Sequence, residues 1–170
     1  MRISVGAVKT ERARPTGVDR NASRRDGPRV FVRRAARAPR QTAPYKNAVL
    51  RTLTAVAPHV RGDVTLVLTG DSTVRALNKR YRARDAATDV LAFGFSEGIN
   101  AGEPFGDVII SVDTARRQAR EYGASEREEL QRLIVHGTLH LCGYDHHERR
   151  AAARMHALTR RMLKDLERGG

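Results

Sequence analysis

Residues 136–146, His-Gly-Thr-Leu-His-Leu-Cys-Gly-Tyr-Asp-His, constrain this chain more than any other stretch. His136 and His140 stand four residues apart, which on a helix puts both imidazoles on one face, a turn apart. Gly143 lets the chain turn sharply once the helix ends. His146 can then return toward the same point as a third ligand. Three protein ligands leave one tetrahedral position open, the arrangement of catalytic rather than structural zinc. Zinc in such a site makes hydroxide available near neutral pH. Imidazole also suits nickel and copper, so the spacing defines a divalent-metal site before it defines the metal.

Half of the six histidines fall inside these eleven residues. His147 adjoins His146 but points the other way in an extended chain. His59 and His156 read as surface or helix residues, and Cys142 as a small buried residue at a helix end. The spacing compares with the metallopeptidase pattern H-E-x-x-H-x-x-G-x-x-H. Gly137 stands where that pattern has its glutamate base, so a peptidase mechanism would lack its main proton acceptor.

The remaining pattern is that of a small α+β domain. Val30-Phe31-Val32 is a short β-like run, followed by a basic link through Pro39. Pro44 can open a helix with Ala48, Val49, Leu53 and Val56 on one face, and Pro58 stops it. Val64–Leu68, Val90–Phe93 and Asp107–Ser111 read as strands. Thr69-Gly70-Asp71 is a turn leading into a short helix that ends near Tyr81. A polar loop follows from Arg82 to Thr88, and a Gly-rich loop from Gly94 to Pro104. Helices are expected over about 113–122 and about 125–141, the second with a capping box of Ser125 and Glu128. A last amphipathic helix runs from about His147 to Leu166, with Ala151, Met155, Leu158, Met162 and Leu166 on one face. The expectation is one domain over 29–170, a mixed four-stranded sheet packed against about five helices, with the metal in a cleft.

Charge divides the chain. The net +13 comprises +9 over residues 1–40, with twelve Lys/Arg and three Asp/Glu, and +4 over residues 41–170. Residues 1–28 mix Gly, Pro, Arg and Ser with little apolar periodicity and read as a basic, disordered tail. Such an arm attracts phosphate backbones without reading sequence. One cysteine excludes an intramolecular disulfide and suits a reducing compartment. No run approaches a membrane span, and no secretory signal is evident, so a cytoplasmic protein is expected.

Three blocks carry a resemblance to a known family. They are H-G-T-L-H-L-C-G-Y-D-H at 136–146, Leu77-Asn78-x-x-Tyr81-Arg82-x-x-Asp85-x-x-Thr88-Asp89-Val90-Leu91-x-Phe93, and Gly106-Asp107-Val108-Ile109-Ile110-Ser111. On these the chain resembles the YbeY family of bacterial rRNA maturation endoribonucleases over about residues 29–166. The resemblance implies single-strand-specific endoribonuclease activity in 16S rRNA 3′-end maturation and ribosome quality control. It implies one zinc ion, rRNA precursors and ribosomal particles as partners, and no membrane association. By position it makes His136, His140 and His146 the metal ligands. Arg82 becomes a phosphate contact beside the cleft, and Arg82 and His136 the catalytic residues. Ala92, Gly94 and Thr159 depart from the family pattern, where Ser, Pro and Glu are common. Independently, the planar fork of Arg82 suits phosphate. Aromatic content of only 5% argues for backbone contact over base stacking. Asp85, Asp89 and Asp107 read as caps and turn formers. A ribosome-assembly factor with structural zinc and a hydrolase of another substrate are the other readings.

Overall fold

The computed structural model describes residues 8–9, 27–95, 100, 102–144 and 148–168. Its strands are β1 (Val8–Lys9), β2 (Val30–Arg34), β3 (Asp63–Thr69), β4 (Val90–Gly94) and β5 (Pro104–Ser111). Its helices are α1 (Ala43–Val56), α2 (Asp71–Arg82), α3 (Val112–Tyr122), α4 (Glu126–Leu141) and α5 (Arg149–Arg168). The sheet order is β1-β4-β5-β3-β2. β2, β3 and β5 run parallel, β4 is antiparallel to β5, and β1 adds a two-residue parallel pairing on the outer edge of β4. The expected mixed sheet of four strands and five helices is therefore present, with Val8–Lys9 as an addition at its edge. The rest of the segment 1–26 lies outside the described residues.

Alternation along the strands divides the core in two. Val64, Leu66 and Leu68 of β3, Val90 and Ala92 of β4, and Val108 and Ile110 of β5 face α1 and α4. Leu91, Phe93 and Ile109 point the other way, toward Val74, Leu77 and Tyr81 of α2. Period-two alternation in a sheet buried on both faces produces the near-continuous apolar runs of the sequence. α4 is the central helix. Its Leu130, Leu133, Ile134 and Leu139 have no measurable exposure, each burial being worth about 1.5–3 kcal/mol.

Some boundaries differ from the sequence reading. β5 begins at Pro104, three residues early, because Asp63 N–H donates to the Glu103 carbonyl (2.7 Å) and Phe95 N–H to Phe105 (2.9 Å). Pairing with β3 on one side and across the β4–β5 hairpin on the other draws part of the expected loop into the ladder. Arg82 belongs to α2 as its last residue rather than to the loop.

Candidate metal centre

α4 is fixed at both ends. Ser125 caps its start: Glu128 N–H donates to Ser125 Oγ (3.2 Å), and Ser125 N–H to Glu128 Oε2 (2.7 Å). At the other end, Gly143 adopts φ +83°. Its N–H bonds the His140 carbonyl, and Tyr144 N–H bonds the Leu139 carbonyl. This pair of bonds around a left-handed glycine is the Schellman stop, which reverses the chain directly after His140.

Within that frame, His140 is buried and His136 half-buried. Their rings meet edge to face at 4.7 Å, and the two Nε2 atoms lie 3.2 Å apart. Two nitrogens each about 2.0–2.1 Å from one tetrahedral zinc ion are separated by roughly 3.3 Å. The pair therefore fits two corners of a zinc site. Among the described residues no third His, Cys, Asp or Glu joins them. His146, the expected third ligand, lies outside the described residues, as does His147. Burial pushes the neighbouring Cys142 thiol up to about 12, so it is neutral and fits the packing role expected of it.

Gly137 lies against the sheet. A Cβ there would stand 2.7 Å from Val108 Cγ1 and 2.8 Å from Val90 Cγ2. The position that a peptidase fills with glutamate is here a close approach of α4 to β4 and β5. Gly106 is as tightly placed: a Cβ would meet the Phe93 carbonyl at 2.5 Å and Leu141 Cδ2 at 2.8 Å.

The last turn of α2, which ends in Arg82, reaches the same end of the β4–β5 ladder from the other face. Tyr81 packs edge-on against Phe93 at 5.2 Å, while Leu141 covers Gly106 beside Gly94. The ends of α2 and α4 thus flank one stretch of β4. The block around Arg82 is largely its scaffold. Buried Asn78 donates Nδ2–H to the Ala86 carbonyl (2.8 Å). Asp85 pairs with Arg75 (2.7 Å) and Lys79 (2.9 Å), whose hydrogen bonds hold its carboxyl at about 2. Asp89 accepts from Val90 N–H and from Thr88. Asp89 thus bonds locally at the turn into β4, as its setting suggested, while Asp85 is held by two cations of α2. Asp107, expected as a cap or turn former, is instead a buried position inside β5, in register with Thr65 and Phe93. Ala83 follows Arg82 at φ 54°, a left-handed turn unusual for a residue with a side chain. Arg82 is half-buried, and burial, aided by the Arg84 cation, lowers its pKa.

The model of the family described as Endoribonuclease YbeY matches residues 34–167. The chain belongs to the YbeY family. An "Endoribonuclease YbeY" of Heliobacterium modesticaldum is 46% identical over 114 residues, 61% of this chain and 69% of that protein. Another, from an Anaeromyxobacter species, is 43% identical over 127 residues, 74% of this chain and 66% of the relative. A third, from Aquifex aeolicus, reaches 52% identity over 84 residues, 49% and 56% of the two chains. The matches span between about half and about two thirds of these YbeY relatives' lengths. The solution structure of TM1509 from Thermotoga maritima superposes with a TM-score of 0.58 at 21% identity, over 81% of this chain and 88% of that one. It supports the fold alone.

Sequence reading missed two arrangements. Glu129, buried within α4, binds Arg132 through both oxygens at 2.8 and 2.5 Å. Their i, i+3 spacing was the available signal. The second is the cationic face of α5, for the sequence reading took from that helix only its apolar side.

Proposed function

We propose that the chain is a single-strand-specific endoribonuclease of 16S rRNA 3′-end maturation and ribosome quality control. In this reading rRNA precursors and ribosomal particles are its cytoplasmic partners. The carrying observation is the His136–His140 pair, two imidazole nitrogens 3.2 Å apart on a rigid helix, in a chain of the YbeY family. His136, His140 and His146 would hold one zinc ion, and His136 and Arg82 would be the catalytic residues. A zinc ion held there supplies Lewis-acid stabilisation of charge on a phosphoryl oxygen.

The protein's own groups do the rest. Arg82 presents a planar fork of donors that can grip two phosphate oxygens and hold the strand in register. Its partial burial strengthens that grip, because less water competes for the charge. Burial of His140 fixes its ring, so the pair keeps its geometry without substrate. Gly137 keeps carboxylates out of the place where a peptidase needs one, which disfavours peptide hydrolysis. The capped and packed state of α4 weighs against a purely structural metal.

The test is metal content and cleavage of single-stranded RNA for wild type, His140→Ala and Arg82→Ala. Wild type should carry one zinc per chain and cleave. His140→Ala should lose both properties, and Arg82→Ala should keep the metal and lose cleavage. Cleavage by metal-free His140→Ala protein overturns the reading.

A further inference from the structure

The described domain draws its positive charge from two segments. Residues 29–40 hold five arginines and no acid, and α5 holds seven Lys/Arg against Asp165 and Glu167. Between them, residues 41–148 carry thirteen cationic and fourteen acidic residues. The cations of α5 are ordered. Arg150, Arg154, Arg161, Lys164 and Arg168 recur at helical spacing with Ala157 in the one gap, so they share a face, and all five are exposed. The side bearing Met155, Thr159, Met162 and Leu166 is buried in the core. Among the described residues, Arg150, Arg161, Lys164 and Arg168 take no hydrogen bond or ion pair from the protein. Like charges at these spacings weaken a helix unless an anion screens them. The stripe begins near the end of α4, the helix that carries the candidate centre. The Arg154 guanidinium lies 5.5 Å from the ring centroid of Tyr144, the residue that closes α4 after His140. From Arg150 to Arg168 it runs for about 27 Å.

We propose that this face of α5 is a track for the phosphodiester backbone of single-stranded RNA, leading the strand away from the metal centre. The identity of the ligand rests on the ribonuclease reading above; the track itself rests on charge and placement. α5 carries no Phe, Tyr or Trp, so it grips phosphates and leaves the bases unread. Its apolar side is occupied by the protein core, which withholds the surface that a membrane-binding helix inserts.

The test uses the full chain with Arg150→Gln, Arg161→Gln and Lys164→Gln combined, glutamine being a comparably good helix former. Binding of a fluorescent single-stranded RNA is followed by anisotropy across a salt series, with and without zinc. Each lost phosphate contact lowers the slope of log affinity against log salt by about 0.7, so the triple variant should lose about 2. Its Kd at 0.1 M salt should rise at least about tenfold. Removing equal charge elsewhere, with Lys46→Gln, Arg120→Gln and Arg127→Gln, should leave the slope nearly unchanged. Equal slopes for the two triple variants overturn the proposal. So does a wild type that ignores RNA, or an α5 variant whose only loss is binding to phosphatidylserine vesicles. Intact RNA binding with this slope change but no cleavage in any zinc-loaded sample removes the nuclease reading and leaves the track standing. Should the triple variant lose helicity, Arg161→Gln alone carries the test, with an expected slope change of about 0.7.

Discussion

At the scale of single residues, Gly137 decides how close α4 comes to the sheet. Alanine is the better helix former by about 1 kcal/mol, so propensity alone predicts that Gly137→Ala stabilises the protein. The structure predicts the opposite. The added methyl would meet Val108 Cγ1 at 2.7 Å and Val90 Cγ2 at 2.8 Å, and valine side chains are too stiff at χ1 to swing aside. Overpacking of this kind costs about 1–3 kcal/mol. Gly137→Ala should therefore lose about 1 kcal/mol net, read as a lower urea midpoint at unchanged m-value. Val90→Ala added to it should cost less than Val90→Ala alone, the signature of a shared contact. Equal or greater stability of the single variant would show that helix and sheet have slack. The sequence disclosed Gly137 only as a missing glutamate. Its packing partners lie 29 and 47 residues earlier in the chain, beyond the reach of any local pattern.

At the scale of elements, the starts of α2 and α3 are tied together. Asp113 Oδ2, at the start of α3, accepts Asp71 N–H at the start of α2 (3.0 Å). Asp71 in return accepts from the Ser111 and Thr114 hydroxyls and pairs with Arg117 (2.8 Å). Burial works to raise the Asp71 carboxyl, but the hydrogen bonds from Ser111, Arg117 and Thr114 outweigh it and hold its pKa below the ordinary value. A carboxyl that binds its proton more weakly when folded stabilises the fold above its unfolded pKa, near 4, and loses that contribution as the pH falls through the folded value. Asp71→Asn should thus cost about 1 kcal/mol at pH 7, a figure reduced by partial exposure. The gap to wild type should close as the pH falls below about 4. A gap that widens on acidification would contradict the assignment. Helix faces and strand alternation were legible because periodicity is local. The capping box of Ser125 and Glu128 was legible for the same reason. The exchange between Asp71 and Asp113 was not, since it joins residues 42 apart that meet only once β3 and β5 pair. The Schellman stop at Gly143 was half legible: glycine announced the turn, while the carbonyls it satisfies appear only in the structure.

At the scale of the whole molecule, the question is whether the domain needs its metal to fold. A small zinc-nucleated domain unfolds when its ion is removed, because the binding energy is its folding energy. This chain is built otherwise. The buried cluster extends from Val30 to Leu166 across β2, β3, β4, β5 and all helices but α2. α4, which carries His136 and His140, sits at its centre with both ends satisfied by the chain itself. A metal at these histidines would add stability by mass action, about 2.7 kcal/mol at a free concentration a hundred times its Kd. It would not supply the core. Chelation of zinc-loaded protein should therefore lower Tm by several degrees while the far-UV circular dichroism and a single cooperative transition persist. Gly137→Ala, with its core strained, should stay folded when loaded and melt earlier by a similar further margin when stripped. Collapse of the wild type on chelation would make the metal part of the fold. The pair of nitrogens 3.2 Å apart on α4 would then be a structural anchor rather than the centre of a reaction.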